Sequence, residues 1–200
     1  LFFFNFFRFP QKCINFFLRI KSDNVFSVYG FNILSPKKIN NYFFANLNAK
    51  FSSFILEKYE YREKELISKY LSKSDVVLEL GGCIGVISLT INRILNFNKN
   101  HVVLEVDKNN MEFLEINKKS NKGKFKIIHG VLSNDRNLFY KKSHSFWGGK
   151  VVKDKTSEPI SSYNLGQLEK KTNLKFNTLV MDIEGGETDV IKDLDLQFFK

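Results

Sequence analysis

Cysteine is scarce in this 200-residue chain, which contains two, Cys13 and Cys83. Cys13 lies in an aromatic segment and Cys83 in a glycine-rich loop, so the pair does not suggest a disulfide framework. A reducing compartment is therefore the default, and we expect a cytoplasmic protein. The remaining composition, 43% apolar and 26% charged, is typical of a globular protein that can bury a sizeable core.

Long apolar runs are also absent. A membrane-spanning helix needs about 20 apolar residues in succession, and the phenylalanine-rich residues 1–20 are interrupted by Asn5, Arg8 and Pro10. We predict no transmembrane segment in the chain as given. Because the chain does not begin with Met, the question of a hydrophobic or signal segment upstream is left open. Residues 1–54 are interpreted as an aromatic-rich N-terminal extension that packs on the core, with an interfacial or partner-binding helix as the alternative.

Acidic residues are outnumbered, 21 against 31 Lys and Arg, which gives a net charge of +10. Most of the surplus lies in residues 118–155, which contain eleven Lys and Arg but two Asp. A basic surface can attract anionic substrates or nucleic acid. The segment lacks the aromatic and basic repeat of RNA-binding modules. A solvated lysine-rich face is therefore the favoured interpretation, and no specific nucleic-acid partner is predicted.

The most informative stretch, DVVLELGGCIG at residues 75–85, lacks the signatures of common phosphate-binding loops. Its apolar half is typical of a buried parallel strand, and its glycines allow tight turning before an apolar helical pattern that starts at Val86. A dinucleotide fingerprint needs glycine where the chain has Leu80, and no Gly-Lys-Ser/Thr follows. Glu79, at the end of the strand, would repel a pyrophosphate but attract an ammonium or a sulfonium. S-adenosylmethionine carries both groups.

Helices and strands alternate through the rest of the chain, as in a nucleotide-binding α/β domain over residues 55–200. Apolar patterns predict helices over residues 55–71, 86–95, 110–118 and 165–174 and from about residue 188, and strands over residues 76–78, 101–106, 125–132 and 178–181. Residues 29–54 indicate one or two strands or a short helix. The long connection, residues 133–165, contains His144, Trp147 and much of the basic surplus, and we interpret it as a substrate-facing loop or inserted hairpin.

An acid at the end of the second predicted strand is a candidate ribose ligand. Glu105 follows the last loop glycine, Gly85, by 20 residues, near the usual interval between a glycine loop and a ribose-binding acid. A carboxylate can accept from two vicinal hydroxyls at once, and a solvated strand-end acid is the alternative. Gly130 lies near the end of the third predicted strand, where the chain could pass the adenine.

Three further acids, Asp182, Glu184 and Glu187, cluster where the fourth predicted strand ends. Doubly wound sheets bind ligands beyond the carboxyl ends of their strands, so we expect these acids in the same crevice as Glu79 and Glu105. That much negative charge favours a cationic ligand, a metal or a raised carboxyl pKa. Carboxylates would suit a hard metal ion, but no histidine joins them in sequence, and we predict no metal.

Three motifs in this order resemble the FkbM-type class I S-adenosylmethionine-dependent methyltransferases. They are ELGGCIG at residues 79–85, EVD at residues 105–107 followed by Leu114-x-x-Asn117, and DIEGGE at residues 182–187. The resemblance covers roughly residues 57–200, and the last motif is the distinctive one. It implies a Rossmann-like sheet in a three-layer α/β/α domain. It also implies methyl transfer from S-adenosylmethionine to a hydroxyl of a small-molecule or saccharide acceptor.

The resemblance also implies roles for individual residues. Glu79 and the loop after it would contact the methionine part of S-adenosylmethionine, and Glu105 would hold the ribose. The loop residues concerned are Gly81, Gly82, Cys83 and Gly85. Asp182 and Glu184 would lie by the transferring methyl or the acceptor hydroxyl. Asp182 is the first candidate for the general base that takes the hydroxyl proton, and Glu184 is the second. Ordering of the loop or capping of the following helix is the alternative role for both acids.

Departures from the family pattern bear on these expectations. Cys83 stands where the family has Asn, and Val180 where it often has Lys. The chain ends after the helix of the fourth predicted strand, where the family has three further strands, so we expect an incomplete sheet with an exposed edge. The competing functions are a methyltransferase-like binding module without catalysis and a nicotinamide-dependent oxidoreductase, which Leu80 and Glu79 disfavour.

Overall fold

The computed structural model describes residues 25–35, 60–143, 149–183, 185–194 and 199. Its strands are β1 (Val25–Val28), β2 (Phe31–Leu34), β3 (Val77–Leu80), β4 (His101–Glu105), β5 (Lys126–His129), β6 (Val131–Leu132), β7 (Phe139–Lys141), β8 (Lys150–Val152), β9 (Glu158–Pro159), β10 (Ser162–Tyr163) and β11 (Thr178–Met181). Its helices are α1 (Tyr61–Tyr70), α2 (Val86–Ile94), α3 (Lys108–Ser120), α4 (Leu165–Thr172) and α5 (Glu187–Asp193). Predictions for residues 1–24 and 36–59 lie outside the described residues.

Four parallel strands form the central sheet in the order β11-β3-β4-β5. Numbered among themselves by their position in the chain, these four strands lie side by side in the order 4-1-2-3. A Rossmann-like sheet has the same order around the point where its strand order reverses. The reversal lies between β3 and β11, where Val77 pairs with Thr178 and Leu80 with Met181. The predicted Rossmann-like α/β fold is confirmed.

Helices cover both faces of this sheet. One face packs against α4 and α5 through Leu168 and Val190, and the other against α2 and α3 through Leu89 and Leu114. β3 and β4 are buried along their whole length, as expected for parallel strands between two helical layers. The predicted three-layer arrangement is therefore present. Within the described ranges, no helix is long and apolar enough to cross a membrane.

A hairpin from the N-terminal part of the chain packs on the side of α2 and α3. Its strands, β1 and β2, pair antiparallel. Val28, Phe31 and Ile33 are buried in the same cluster as Leu114. Residues 25–35, which fall within the predicted N-terminal extension, thus share a core with the α/β unit.

One side chain, Asn117 of α3, connects this hairpin to the loop after β3. Its Oδ1 accepts from the N–H of Leu34 at 2.7 Å, and its Nδ2 donates to the carbonyl of the same residue at 2.9 Å. The same Nδ2 donates to the carbonyl of Ile84, in the loop, at 2.8 Å. Asn117 is fully buried, so its amide forms an internal link between the two segments.

The predicted third strand, residues 125–132, is divided in the structure. Gly130, with a φ of +147°, donates its N–H to the carbonyl of Glu105 at 3.0 Å. Beyond it, Val131 and Leu132 pair with β10 rather than with β4. β5 ends at His129, close to Gly130 as expected, but residues 131–132 form a separate strand, so the prediction of one continuous strand to residue 132 was wrong.

The long connection, residues 133–165, is called the insertion below. It contains a small antiparallel sheet in the order β8-β7-β9, so of the two alternatives, a loop or an inserted hairpin, the structure shows the hairpin, and its substrate-facing role stays a prediction. His144 and Trp147 lie outside the described residues. The insertion has its own buried cluster, which packs against the ends of β4 and β6 and consists of Leu138, Tyr140 and Ile160 with the partly buried Val106 and Val131.

Candidate functional site

A cavity of about 1150 Å³ opens at the carboxyl ends of β3, β4 and β11. It lies where the strand order reverses, the place at which doubly wound sheets bind ligands. Its walls come from the loop after β3, the ends of β4 and β6, α1, α5 and the insertion. Seven predicted site residues line it: Glu79, Gly81, Gly82, Cys83, Glu105, Gly130 and Asp182.

The loop after β3 lies directly on the sheet. Gly81 has a φ of +90°, and a Cβ there would lie 2.1 Å from the carbonyl oxygen of Asp182. At Gly82 a Cβ would lie 2.4 Å from a methyl group of Val103. Only glycine permits this approach. Gly85 is the N-cap of α2 and is not among the residues that line the cavity, so the structure does not bring it to the ligand site.

Cys83 adopts the left-handed backbone conformation, with a φ of +45°. Residues other than Gly, Asn and Asp occupy this region at a cost. The N–H of Cys83 donates to Oε2 of Glu105 at 2.7 Å and so fixes the loop against that acid. Asn tolerates this conformation better than Cys, so a Cys at this position has a backbone cost and also lacks a side-chain amide.

Glu105 is a buried carboxyl group at the end of β4, with 5% exposure. Its Oε2 accepts from the N–H of Cys83 at 2.7 Å and its Oε1 from the N–H of Asp107 at 2.8 Å. Burial raises the pKa of Glu105 to about 7, although these backbone hydrogen bonds act in the opposite direction. A carboxylate has about four acceptor positions. The two that remain suit the two hydroxyls of a ribose.

Glu79 was expected to contact the ligand, but both of its carboxylate oxygens are close to polar side chains of the protein. Its Oε1 accepts from the hydroxyl of Ser88 at 2.8 Å, and its Oε2 lies 2.7 Å from Nε2 of His101. Because a carboxylate only accepts, we assign the proton to Nε2 of His101. Glu79 is 1% exposed and His101 fully buried. The charge of Glu79 lies at the cavity wall, but both of its oxygens are already bonded to protein.

Asp107 and Tyr140 form a pair that sequence reasoning did not identify. The hydroxyl of Tyr140, which lines the cavity, donates to Oδ2 of Asp107 at 3.2 Å. Oδ1 of Asp107 accepts from the N–H of Asn109 at 2.8 Å and caps α3. An acid just before a helical pattern could have indicated the cap. Nothing in the sequence indicates that Tyr140 forms a hydrogen bond with Asp107.

The third group of predicted acids is only partly at the cavity. Asp182 is exposed at the end of β11 and shares the cavity with Glu79 and Glu105. Glu187 begins α5 and is not part of the lining, while Glu184 lies outside the described residues. Among the residues that the structure describes, no three His, Cys, Asp or Glu side chains gather into a possible metal site.

No protein-family model and no curated protein matches the chain. Two solved structures have a similar fold: a presumed transferase from Pyrococcus horikoshii and an O-methyltransferase from Bacillus cereus in complex with SAH, S-adenosylhomocysteine. The first is 18% identical over 52% of this chain with a TM-score of 0.37, and the second 14% identical over 65% with a TM-score of 0.38. This chain spans 35% and 48% of those two chains. Likeness this distant adds no argument to the strand order described above.

Proposed function

We propose that this protein is an S-adenosylmethionine-dependent methyltransferase of the FkbM type. The observation that carries the proposal is Glu105, a buried carboxyl group in the cavity wall whose partners are backbone N–H groups. One of these N–H groups belongs to the loop after β3, so a single acid links the loop to the end of β4. A nucleoside with a vicinal diol is the ligand chemistry that suits this acid.

The lining beside Glu105 suits the other parts of the cofactor. Val106 and Val131 provide apolar surface for adenine. Glu79 and Asp182, at the ends of β3 and β11, provide negative charge that favours an ammonium and a sulfonium. Drug-sized ligands usually occupy sites of about 300–1,000 Å³. A cavity of about 1150 Å³ therefore has room for a small acceptor, such as a saccharide, beside the cofactor.

Asp182 is our candidate for the group that acts on the acceptor. S-adenosylmethionine supplies a methyl group already activated by its sulfonium, so positioning provides much of the rate. Asp182 is exposed and lines the cavity, so it can take the proton of an acceptor hydroxyl as general base. Glu184 keeps its predicted role as the second candidate. We propose transfer to a hydroxyl oxygen of a sugar or secondary metabolite.

Binding of SAH is expected to tighten as the pH rises through about 7. Burial raises the pKa of Glu105 to about 7 in the free protein, and hydroxyl donors bind the ionised form. The ionised fraction rises from roughly 0.1 at pH 6 to roughly 0.9 at pH 8, so affinity should increase about ten-fold and then level off. Isothermal titration calorimetry across this range measures the change.

The matched control for this titration is Glu105→Gln, which keeps the shape and loses the charge. It should bind SAH about 10- to 100-fold more weakly than the wild type at pH 8, with no pH dependence near 7. A wild-type profile as flat as that of the variant would contradict the role of Glu105. A wild type that binds NAD(H) but neither S-adenosylmethionine nor SAH would refute the proposed function.

Asp182→Asn is expected to lower kcat by about 100- to 10,000-fold on any hydroxyl acceptor that the wild type methylates. Its affinity for SAH should fall much less than kcat, because SAH keeps the ammonium but lacks the sulfonium charge that the carboxylate would attract. Transfer of a labelled methyl group to a panel of saccharides and hydroxylated small molecules measures kcat. Cofactor binding without turnover of any acceptor would favour the non-catalytic binding module, and full activity in Asp182→Asn would exclude this acid as the base.

A further inference from the structure

Tyr140 is a buried aromatic residue of the cavity wall to which the roles above assign nothing. It is the central residue of β7, with 6% exposure. Its hydroxyl donates to Oδ2 of Asp107, which is itself 4% exposed. Asp107 follows Glu105 by two residues. The insertion therefore places a phenol beside the strand end that carries the candidate ribose ligand.

Tyr140 is close to the residues proposed for the ribose and to those proposed for the adenine. Burial and the neighbouring charges of Asp107 and Glu105 raise the pKa of Tyr140 above its usual value, so the phenol stays protonated at neutral pH. The same side chain belongs to the cluster that packs against Val106 and Val131, the apolar surface proposed for adenine. One residue of the insertion thus adjoins the residues proposed for both parts of the nucleoside.

Further contacts hold the insertion and Tyr140 in place. Lys108, at the start of α3, forms an ion pair with Glu158 of β9. Gly149, just before β8, lies so close to the phenol that a Cβ there would be 1.9 Å from its oxygen. The hydroxyl is therefore confined between the carboxylate of Asp107 and the backbone of Gly149. A side chain held in this way loses little further freedom when a ligand binds.

We propose that Tyr140 binds the adenosine half of the cofactor and that the insertion, through this residue, is part of the cofactor site. The inference rests on the proposed function and deepens it. Sequence reasoning assigned the insertion to the acceptor, whereas the contacts of Tyr140 also connect it to the nucleoside. Asp107 is the positioning residue that holds the phenol.

Calorimetry with SAH and with 5′-methylthioadenosine tests this assignment, since the two ligands share the adenosine half and differ in the amino-acid half. Tyr140→Ala should weaken both by the same factor, about 10- to 100-fold. Tyr140→Phe keeps the ring and loses the bond to Asp107, so it should weaken both about two- to five-fold. Phe139→Ala is the matched control, because Phe139 is the preceding residue of β7 and is absent from the cavity lining. It should bind both ligands within about two-fold of the wild type.

Thermal melting of each variant, with and without SAH, identifies any variant that does not fold. If Tyr140→Ala is unfolded, Tyr140→Phe decides, and wild-type affinity in that variant overturns the proposal. A folded Tyr140→Ala that keeps wild-type affinity also overturns the proposal. So does a loss of affinity for SAH that is not seen for 5′-methylthioadenosine. An equal loss of affinity in Phe139→Ala overturns it as well. A wild type that binds neither ligand refutes the proposed function itself, whereas wild-type binding with unaffected variants refutes this inference alone.

Discussion

Gly81→Ala is expected to destabilise the protein by about 3–5 kcal/mol, because two costs add at this position. The residue has a φ of +90°, which is strained for any residue with a Cβ. The added Cβ would also lie 2.1 Å from the carbonyl oxygen of Asp182, at the end of the neighbouring strand β11. Relief of the clash requires movement of β11 away from β3, which would displace Asp182 from the cavity.

The chain offers a matched control in Gly185→Ala. Gly185 has a φ of +94°, almost the same as that of Gly81, but a Cβ there meets nothing within 4 Å. This variant should carry the backbone strain alone, about 1–2 kcal/mol. Urea unfolding of the wild type and both variants gives the free energies of unfolding. Equal losses in the two variants would show that the contact with Asp182 contributes nothing.

His101→Leu is expected to destabilise the protein by about 2–4 kcal/mol, because it removes the imidazole that donates a hydrogen bond to a buried carboxylate and leaves the carboxylate behind. Nε2 of His101 lies 2.7 Å from Oε2 of Glu79, and both side chains are buried. Without the imidazole, the hydroxyl of Ser88 is the one side-chain donor to this carboxylate among the described residues. Leu is close to His in volume, so the lost hydrogen bond, rather than a cavity, should dominate the change.

Glu79→Met combined with His101→Leu tests this explanation. The double variant has no buried carboxylate to desolvate, and the hydroxyl of Ser88 can turn to a helix carbonyl. It should therefore be more stable than His101→Leu alone. Urea unfolding of the two single variants and the double variant gives the coupling energy. Additive losses would mean that Glu79 and His101 stabilise the fold independently.

The fold could be predicted from the sequence because its signals are local. β3, β4 and β11 are short apolar runs, α2 starts directly after a glycine loop, and the 20 residues from Gly85 to Glu105 leave room for one helix and one strand. The position of Glu105 at a strand end follows from the same local pattern. These features require no knowledge of which distant segments meet.

The partners of Glu79 and Tyr140 could not be predicted, because they depend on pairing between distant segments. His101 is 22 residues from Glu79 and meets it because β3 and β4 pair with Glu79 opposite Val103. Tyr140 is 33 residues from Asp107 and reaches it through the antiparallel sheet of the insertion. A single sequence specifies neither the register of a strand pair nor the path of a long connection.

The hydrogen bonds of the Asn117 amide limit how far the chain can be shortened from its N-terminal side without loss of support for the site. It bonds to the backbone of Leu34, 83 residues earlier, and to Ile84 in the glycine loop. Truncation at residue 55, the predicted start of the domain, would remove the hairpin, leave this buried amide with unmade hydrogen bonds and uncover the core around Leu114. A unit that keeps the loop supported therefore has to include the hairpin of β1 and β2. Substitutions in a segment without any motif can alter the cofactor loop without contacting the cavity.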